Sequence, residues 1–432
     1  MPNPDRLRRA RAPFALVGAL LFFAATGELR AFGFGLFQHG GRGAAQAGAL
    51  VARADDPSAV RYDPAALVDV EGLVLQAGLD FAATDVEFSS ALSGTADSEH
   101  EIQFTPAVYL GWRRPDARWA LGLAVDSPYW TIDEWPAGFA LGRSSRKSEV
   151  TLHEFRVAAA WALAPPGWSA GAALRHVTGT RQETVLGEFP HPSAAGTVPL
   201  TADAESTIDG SGFALALRRA GERWGWALRL ESEIELEGDG DLVFRPDGFL
   251  PGDVPGFDSV YSTRGVTQEF LLPQSVAAGV WIAIGERTRV ELDVERARWS
   301  ALERTAVRLA DGGEFAPLGY ERHWDDTTSL RLGAEHRFDS GWRLAAGVAH
   351  EPSPVPDATR DFAFPQGDAT VYSLGGGYDL PRIAFDFGWS LHDHDAAAAP
   401  GTEIGIPSRR PRFTARGQVF AVSARWRFAA GR

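Results

Sequence analysis

The chain has 432 residues, no cysteine, 56 acidic residues against 42 lysines and arginines for a net charge of −14, and a near-neutral mean hydropathy. The absence of cysteine excludes a disulfide framework and a lipid-modified N-terminal cysteine. The acidic balance argues against nucleic acid, whose phosphates reward a basic surface.

Four arginines, Arg6, Arg8, Arg9 and Arg11, precede an uncharged apolar run from Phe14 to Ala25, which is the order of a secretory signal. Cleavage is expected after Ala31; residues 1–31 then carry away five arginines and two acids and leave a net charge of −17. The apolar run is shorter than the about 20 residues a membrane-spanning helix needs. No later stretch reaches that length without a charge, so helical anchoring is excluded.

Residues 32–71 are rich in Gly and Ala and turn through Asp55-Asp56-Pro57-Ser58 and Asp63-Pro64. That pattern predicts short helices joined by capped turns, a small segment distinct from the rest of the chain. From Gly72 the period becomes two: Leu73, Leu75, Ala77, Leu79 and Phe81 share one face, and Val74, Gln76, Gly78 and Asp80 the other. The same alternation predicts fourteen strands, near 72–83, 100–113, 118–126, 148–163, 167–179, 206–219, 223–237, 269–284, 286–299, 326–338, 341–351, 369–379, 381–392 and 413–428. A weak run at 303–310 is left out of the count.

The connections alternate. Those after even-numbered strands are tight, such as Pro115-Asp116-Ala117, Ala164-Pro165-Pro166 and Asp339-Ser340, and those after odd-numbered strands are long, as at 127–147, 180–205 and 238–268. Short periplasmic turns and long extracellular loops are the layout of bacterial outer-membrane barrels, whose strands of about ten residues cross the hydrocarbon core at a tilt. Trp112, Trp119, Trp161, Trp168, Trp224, Trp342 and Trp426 lie near the tight-turn ends, where interfacial girdles form. The last strand places Phe420, Val422, Ala424, Trp426 and Phe428 on one face, and residues 429–432 extend beyond it. The expected fold is therefore all-β: a 14-stranded antiparallel transmembrane barrel over 72–428 with residues 32–71 as a partly helical plug.

Three stretches carry a resemblance. The first runs Gln38-His39-Gly40, Arg42-Gly43, Ala47-Gly48 and Ala54-Asp55-Asp56-Pro57-Ser58 to Tyr62-Asp63-Pro64-Ala65. The second is Leu272-Pro273-Gln274-Ser275 with Ala278-Gly279-Val280 and Glu291-Leu292-Asp293. The third joins Leu332-Gly333-Ala334-Glu335, Ser353-Pro354-Val355-Pro356-Asp357 and Tyr372-Ser373-Leu374-Gly375. Together they resemble the FadL/TodX family of outer-membrane transport proteins. Asp63-Pro64-Ala65 stands where the family's hatch has Asn-Pro-Ala. The resemblance implies a plugged barrel, capture of a long-chain fatty acid or another hydrophobic molecule by apolar extracellular loops, an inner pocket, and lateral release beside a kinked third strand. It also implies outer-membrane lipid and the barrel assembly machinery as partners.

Several groups of residues have both a functional and a structural reading. The fourth loop carries Phe244, Phe249, Leu250, Val254, Phe257, Val260 and Tyr261, and the third carries Leu186, Phe189 and Pro190. Apolar surface on that scale marks either an outer capture groove or a self-packed loop. Inward-facing Arg156, Arg175, Arg229, Arg331, Arg343 and Arg425 either hold a carboxylate in a guanidinium fork or pair with Glu154, Glu231, Glu291 and Glu335. Phe32, Phe34, Leu36 and Phe37 line an inner pocket or pack on the wall. The third strand breaks at Asp126-Ser127-Pro128, where proline removes a ladder donor, and Gly122 leaves room on the inner face; this marks a lateral exit or a plain strand end. Alternating His392-Asp393-His394-Asp395 leads into an alanine-rich loop and is not assigned a metal, and His176, His336 and His350 form no Ser-His arrangement that spacing supports. No catalytic residue and no cofactor is expected. The leading reading is a monomeric, passive transporter, with an aromatic-hydrocarbon channel and a structural or adhesive barrel as alternatives.

Overall fold

The computed structural model describes residues 38–90, 94–99, 102–136, 146–395, 397–398 and 411–428. The expected signal, the tail residues Phe32, Phe34, Leu36 and Phe37, and the extension 429–432 lie outside the described residues.

Fourteen strands form one closed wall. They are β1 (Gly72–Ser90), β2 (Gln103–Arg113), β3 (Trp119–Glu134), β4 (Lys147–Ala162), β5 (Trp168–Pro190), β6 (Thr197–Ala220) and β7 (Trp224–Glu231, continued as Ile234–Pro246). Then come β8 (Arg264–Leu272, continued as Ser275–Ile284), β9 (Thr288–Ala297), β10 (Thr327–Arg337), β11 (Trp342–Glu351), β12 (Ala369–Asp379), β13 (Ile383–His394) and β14 (Arg412–Arg427). Each strand pairs antiparallel with its sequence neighbour, and β1 closes on β14 from Val74↔Arg427 to Ser89↔Arg412. Closure is what lipid demands, because an unpaired backbone group in hydrocarbon costs several kcal/mol. Among the described residues no helix is long and apolar enough to cross a membrane.

The strands alternate as the period-two pattern predicts, with Phe104, Leu121, Leu123, Leu174, Leu215, Phe385 and Phe420 exposed on the outer face. At the tight-turn end Trp112 meets Trp119 at 5.2 Å, Trp168 meets Trp226 at 5.4 Å and Trp342 meets Tyr378 at 4.9 Å between ring centroids, an aromatic belt at that rim.

The sequence underestimates strand length on the opposite side. β5 runs to Pro190 and β6 starts from Thr197, so most of the predicted loop 180–205 is a paired hairpin with register from Trp168↔Arg219 to Pro190↔Thr197. β3 likewise does not stop at Asp126 but continues to Glu134 through a register shift between Asp126 and Tyr129. The run at 303–310 is not a wall strand: Val307–Leu309 adds to β8, and Arg304–Thr305 pairs with Tyr320–Glu321.

Residues 38–71 fill the lower lumen as two short α-helices, α1 (Gly40–Ala45) and α2 (Ala59–Tyr62), and a 3-10 turn, Pro64–Asp69. Their side chains are mostly too small to hold position by packing alone, and charge does the anchoring. Arg42 reaches Glu335 at 3.1 Å, Arg53 reaches Glu291 at 3.2 Å and Arg61 reaches Glu154 at 2.7 Å, while Arg218 of the wall reaches Asp69 at 2.5 Å. Backbone amides of Gly40, Val51 and Ala52 donate to Asp80, Asp293 and Glu291. The wall has glycines where the plug touches it. A Cβ at Gly171 would overlap the backbone of Pro64 and Ala65, and one at Gly388 would overlap the backbone of Gly41 and Ala45. Because the obstruction at Gly171 is backbone, Gly171→Val should cost about 1–3 kcal/mol of overpacking. The expected outcome is a lower melting temperature in detergent and new ion conductance in planar bilayers; wild-type conductance and melting would show that the plug does not depend on this contact.

Candidate functional site

Above the plug the lumen is stacked in layers, and the inward faces of the strands read through them in order. On β5 the inward residues are Ala173 beside the plug, then Arg175, Val177, Arg181 with Glu183, and Val185. On β8 they run Ala277, Ser275, Leu272 and Phe270, Gln268 and Val266.

The lowest layer above the plug is a charged ring. Arg156 bridges Glu231 at 2.8 Å and Glu154 at 2.9 Å, and Arg175 bridges Glu154 at 2.5 Å and Glu231 at 3.2 Å. Arg229 and Arg331 both hold Glu295 at 2.9 Å, and Arg331 also reaches Glu351 at 3.4 Å. Arg156, Arg175 and Arg331, predicted as head-group ligands, are thus each neutralised by a buried carboxylate. A buried guanidinium without such a partner is prohibitively expensive, so the ring's first role is to satisfy itself and to grip Arg61 and the Tyr62 carbonyl of the plug. Arg343 and Arg425 lie lower, on Asp386 at 2.6 Å and Asp56 at 3.2 Å.

Over the ring sits an apolar layer of Tyr129, Leu152, Val177, Ile208, Leu236, Phe270, Trp299, Trp324 and Phe364. Trp299, Trp324 and Phe364 come from the long connections 298–326 and 352–368, which fold inward rather than project outward. Trp299 and Trp324 meet at 5.1 Å, and Trp324 meets Phe364 at 5.1 Å.

A polar band caps this layer. Arg181 lies 5.5 Å from the Phe270 ring and Arg322 lies 4.8 Å from the Phe364 ring, two rings 6.5 Å apart. Arg181 donates to the Glu269 carbonyl at 2.6 Å and to Glu183 at 3.3 Å, and Arg322 to Asp361 at 2.7 Å. Arg181 Nε, Arg322 Nη2 and both amide atoms of the fully buried Gln268 have no hydrogen-bond partner among the described residues. Orphaned buried donors are rare and call for an explanation. Sequence reading missed these residues, since Arg181 falls in a predicted loop and Arg322 in a connection without period.

Five of the seven predicted outer-groove residues, Phe189, Phe244, Phe249, Phe257 and Tyr261, share one apolar cluster. Phe189 and Phe244 pack on Phe315 and on Tyr261, and Tyr261 on Phe257, at centroid distances of 5.1–6.3 Å, while Leu186 is buried but is not part of this cluster. Phe249 rests on Phe257 at 5.8 Å, while Leu250 is 70% exposed. The cluster is therefore mostly self-packed, with Phe249 and Leu250 at its open edge.

The wall has a seam beside the apolar layer. The β2–β3 ladder runs only from Trp112↔Leu121 to Val108↔Val125, although β2 pairs with β1 on to Gln103 and β3 pairs with β4 on to Glu134. The register shifts at Ser127-Pro128, Ser127 Oγ bonds His153 Nδ1 at 2.7 Å, and buried Asp126 accepts from Tyr109 Oη at 2.9 Å. Gly122 lies below the seam, opposite Gly111 in the intact ladder, where a Cβ would overlap Val60 and crowd Leu67 of the plug. Its absent side chain makes room for the plug, not for a gap in the wall. His392 and His394 bond Ser390 and the Gly367 carbonyl, and among the described residues no metal-holding group occurs.

Asp63-Pro64-Ala65 starts the 3-10 turn: Asp63 accepts from the Ala65 amide at 3.0 Å, and Pro64 supplies the first-turn φ. Burial pushes the Asp63 carboxyl up to about 7, only partly offset by Arg218 at 3.7 Å. Near neutral pH this carboxyl is therefore about half protonated. With its folded pKa raised above an unfolded value of about 4, wild-type stability is fullest below pH 4 and falls as pH rises towards about 7. Asp63→Asn should therefore gain on wild type across that window and hold a constant advantage above it, measured by thermal unfolding in detergent at stepped pH; a pH-independent difference would refute the burial effect.

A closed fourteen-strand barrel with an aromatic belt and a lumen-filling N-terminal plug defines a plugged bacterial outer-membrane barrel rather than an open aqueous pore. The family model described as outer membrane protein transport protein (OMPP1/FadL/TodX) matches residues 22–428, and the chain belongs to that family. It is 22% identical over 392 residues to a long-chain fatty acid transport protein of Escherichia coli O6:H1, covering 84% of this chain and 86% of that one. A Pseudomonas aeruginosa FadL homologue superposes with a TM-score of 0.80 at 18% identity, over 92% of this chain and 100% of the other. The P. putida toluene transporter TodX does so at 0.68 and 16% identity, over 94% and 100%.

Proposed function

We propose that the chain takes up long-chain fatty acids, or similar hydrophobic molecules with one polar end, passively across the outer membrane. The observation that carries this is the polar band, where buried donors without partners stand directly over an apolar layer: a head group on the band and an alkyl chain below would satisfy both. Phe249 and Leu250 offer the first contact. The plug blocks the way down, so the route out is lateral, through the β2–β3 seam at Asp126–Pro128 into the surrounding lipid. A chain that stays out of water on this path keeps about 0.8 kcal/mol per methylene. The protein works as a monomer, is folded by the barrel assembly machinery and performs no chemistry on its cargo. The fatty acid and toluene transporters among its relatives support the hydrophobic cargo; the band favours a cargo with a head group over a bare hydrocarbon.

Two tests separate capture from exit. Arg181→Gln with Arg322→Gln removes charge-assisted bonds worth roughly 1.5–3 kcal/mol each. Fatty acid binding to purified protein should weaken at least roughly tenfold while binding of a neutral alkane is unchanged; equal loss of both would assign the band a purely structural role. Deleting Ser127 shortens the irregular stretch of β3 by one residue and lets the strand pair on past Val125. Uptake in cells should fall while binding persists, and wild-type uptake in a correctly folded deletion would exclude the seam as the exit.

A further inference from the structure

A second polar site lies at the other end of the molecule. A cavity of about 280 Å³ opens at the tight-turn mouth, lined by Arg337, Arg382, Arg425 and Arg427 against Asp55 and Asp379. Both acids are already committed. Asp55 holds Arg42 at 2.5 Å and Arg337 at 3.4 Å, and Asp379 holds Arg343 at 2.9 Å and Arg425 at 3.6 Å. Arg382 and Arg427 are exposed and have no ion-pair partner among the described residues. They are neighbours, since the Arg427 amide donates to the Arg382 carbonyl at 2.8 Å. In a chain of net charge −14, this rim therefore keeps a local surplus of positive charge beside a pocket.

The surroundings narrow the occupant. The connection between β12 and β13 is short, Leu380-Pro381-Arg382, and on the outside of the same rim stand Trp342, Tyr378 and exposed Phe428, with Trp426 opposite Ile383. An apolar, aromatic outer surface and a guanidinium-lined inner surface are thus separated by a single tight turn. Aromatic belts sit at head-group level, and basic pockets at that level bind lipid phosphates. Guanidinium forks match phosphate oxygens in pairs.

We infer that the periplasmic mouth is a phosphate-binding site, centred on Arg382 and Arg427 and supported by Arg337 and Arg425. Its ligand is a phosphate group, either the head group of an inner-leaflet phospholipid reaching over the Leu380-Pro381 turn or free phosphate in the periplasm. The site is separate from the cargo path, which lies above the plug.

The test uses the full-length mature protein in non-ionic detergent, with Arg382→Gln/Arg427→Gln as the variant. Neither side chain holds a carboxylate, so the change leaves no acid stranded, and heat-shifted migration in gels reports the fold; the single variants R382Q and R427Q are read in the same way should the double variant misfold. Inorganic phosphate is titrated by calorimetry at constant ionic strength, and short-chain phosphatidylglycerol is added at low stoichiometry for native mass spectrometry. Wild type should bind at least one probe, and the variant should bind it roughly tenfold or more weakly. Retained phosphatidylglycerol that inorganic phosphate displaces identifies a lipid head group, and binding of inorganic phosphate alone identifies the free anion. No binding of either probe to wild type, or equal binding by a folded variant, would overturn the inference.

Discussion

Hydrocarbon offers no hydrogen bond to a peptide, and the rest of this molecule depends on that constraint. A chain that crosses lipid with strands must close its ladder, so β1 is obliged to find β14, at the far end of the sequence, from Val74↔Arg427 to Ser89↔Arg412. A closed wall of fourteen strands encloses more space than its own side chains fill, and the plug takes up the remainder. Within that enclosure charge behaves as it does in any interior: every guanidinium of the ring faces a carboxylate, and the plug is held by buried ion pairs of the same kind. The guanidinium groups of the polar band follow the same rule, Arg181 with Glu183 and Arg322 with Asp361, but the band also buries Gln268 with neither amide atom partnered among the described residues, which is why it attracts a functional reading.

Much of the wall was legible because lipid imposes period two. Leu73, Leu75 and Phe81, or Phe385 and Phe387, declare the outer face without knowledge of any partner strand. Legibility ends where the strands leave the membrane. Above it the strand residues of β5 to β7 become Thr180, Gln182, Glu205, Glu235, Glu237 and Asp239, while the ladder continues. A strand with water outside looks like a loop to a reading that expects apolar residues there, and so the hairpin 180–205 and the end of β3 were missed.

The site was legible in composition and not in arrangement. Arg156 with Glu154 and Arg229 with Glu231 show alternating charge along one strand, but which carboxylate each guanidinium meets depends on cross-strand register, as in Arg156 with Glu231. Trp299, Trp324, Phe364 and Arg322 belong to connections that fold back into the lumen, a tertiary choice with no local period to betray it. The aromatic residues at 244–261 were recognisable as a group, yet Phe315, which stacks on Phe189 at 6.1 Å, lies in a different connection. The plug motif was readable in full because its turn is local: an acceptor at Asp63, a fixed φ at Pro64 and an amide two residues on are adjacent in sequence.

The anchoring of the plug also sets an order of assembly. Gly40 donates to Asp80 on β1 and Gly41 to Ser423 on β14, contacts separated by 40 and 382 residues. A segment synthesised early thus has a docking surface that is complete only when the last strand has been placed. Until then the plug can reach carboxylates on β4, β9 and β10 but lacks Ser423 and Arg425 of β14, so its complete seating is a consequence of barrel closure. Loop-closure entropy makes such distant contacts slow to form, and the plug's capture is accordingly the step that distinguishes a finished barrel from one still open at its β1–β14 edge.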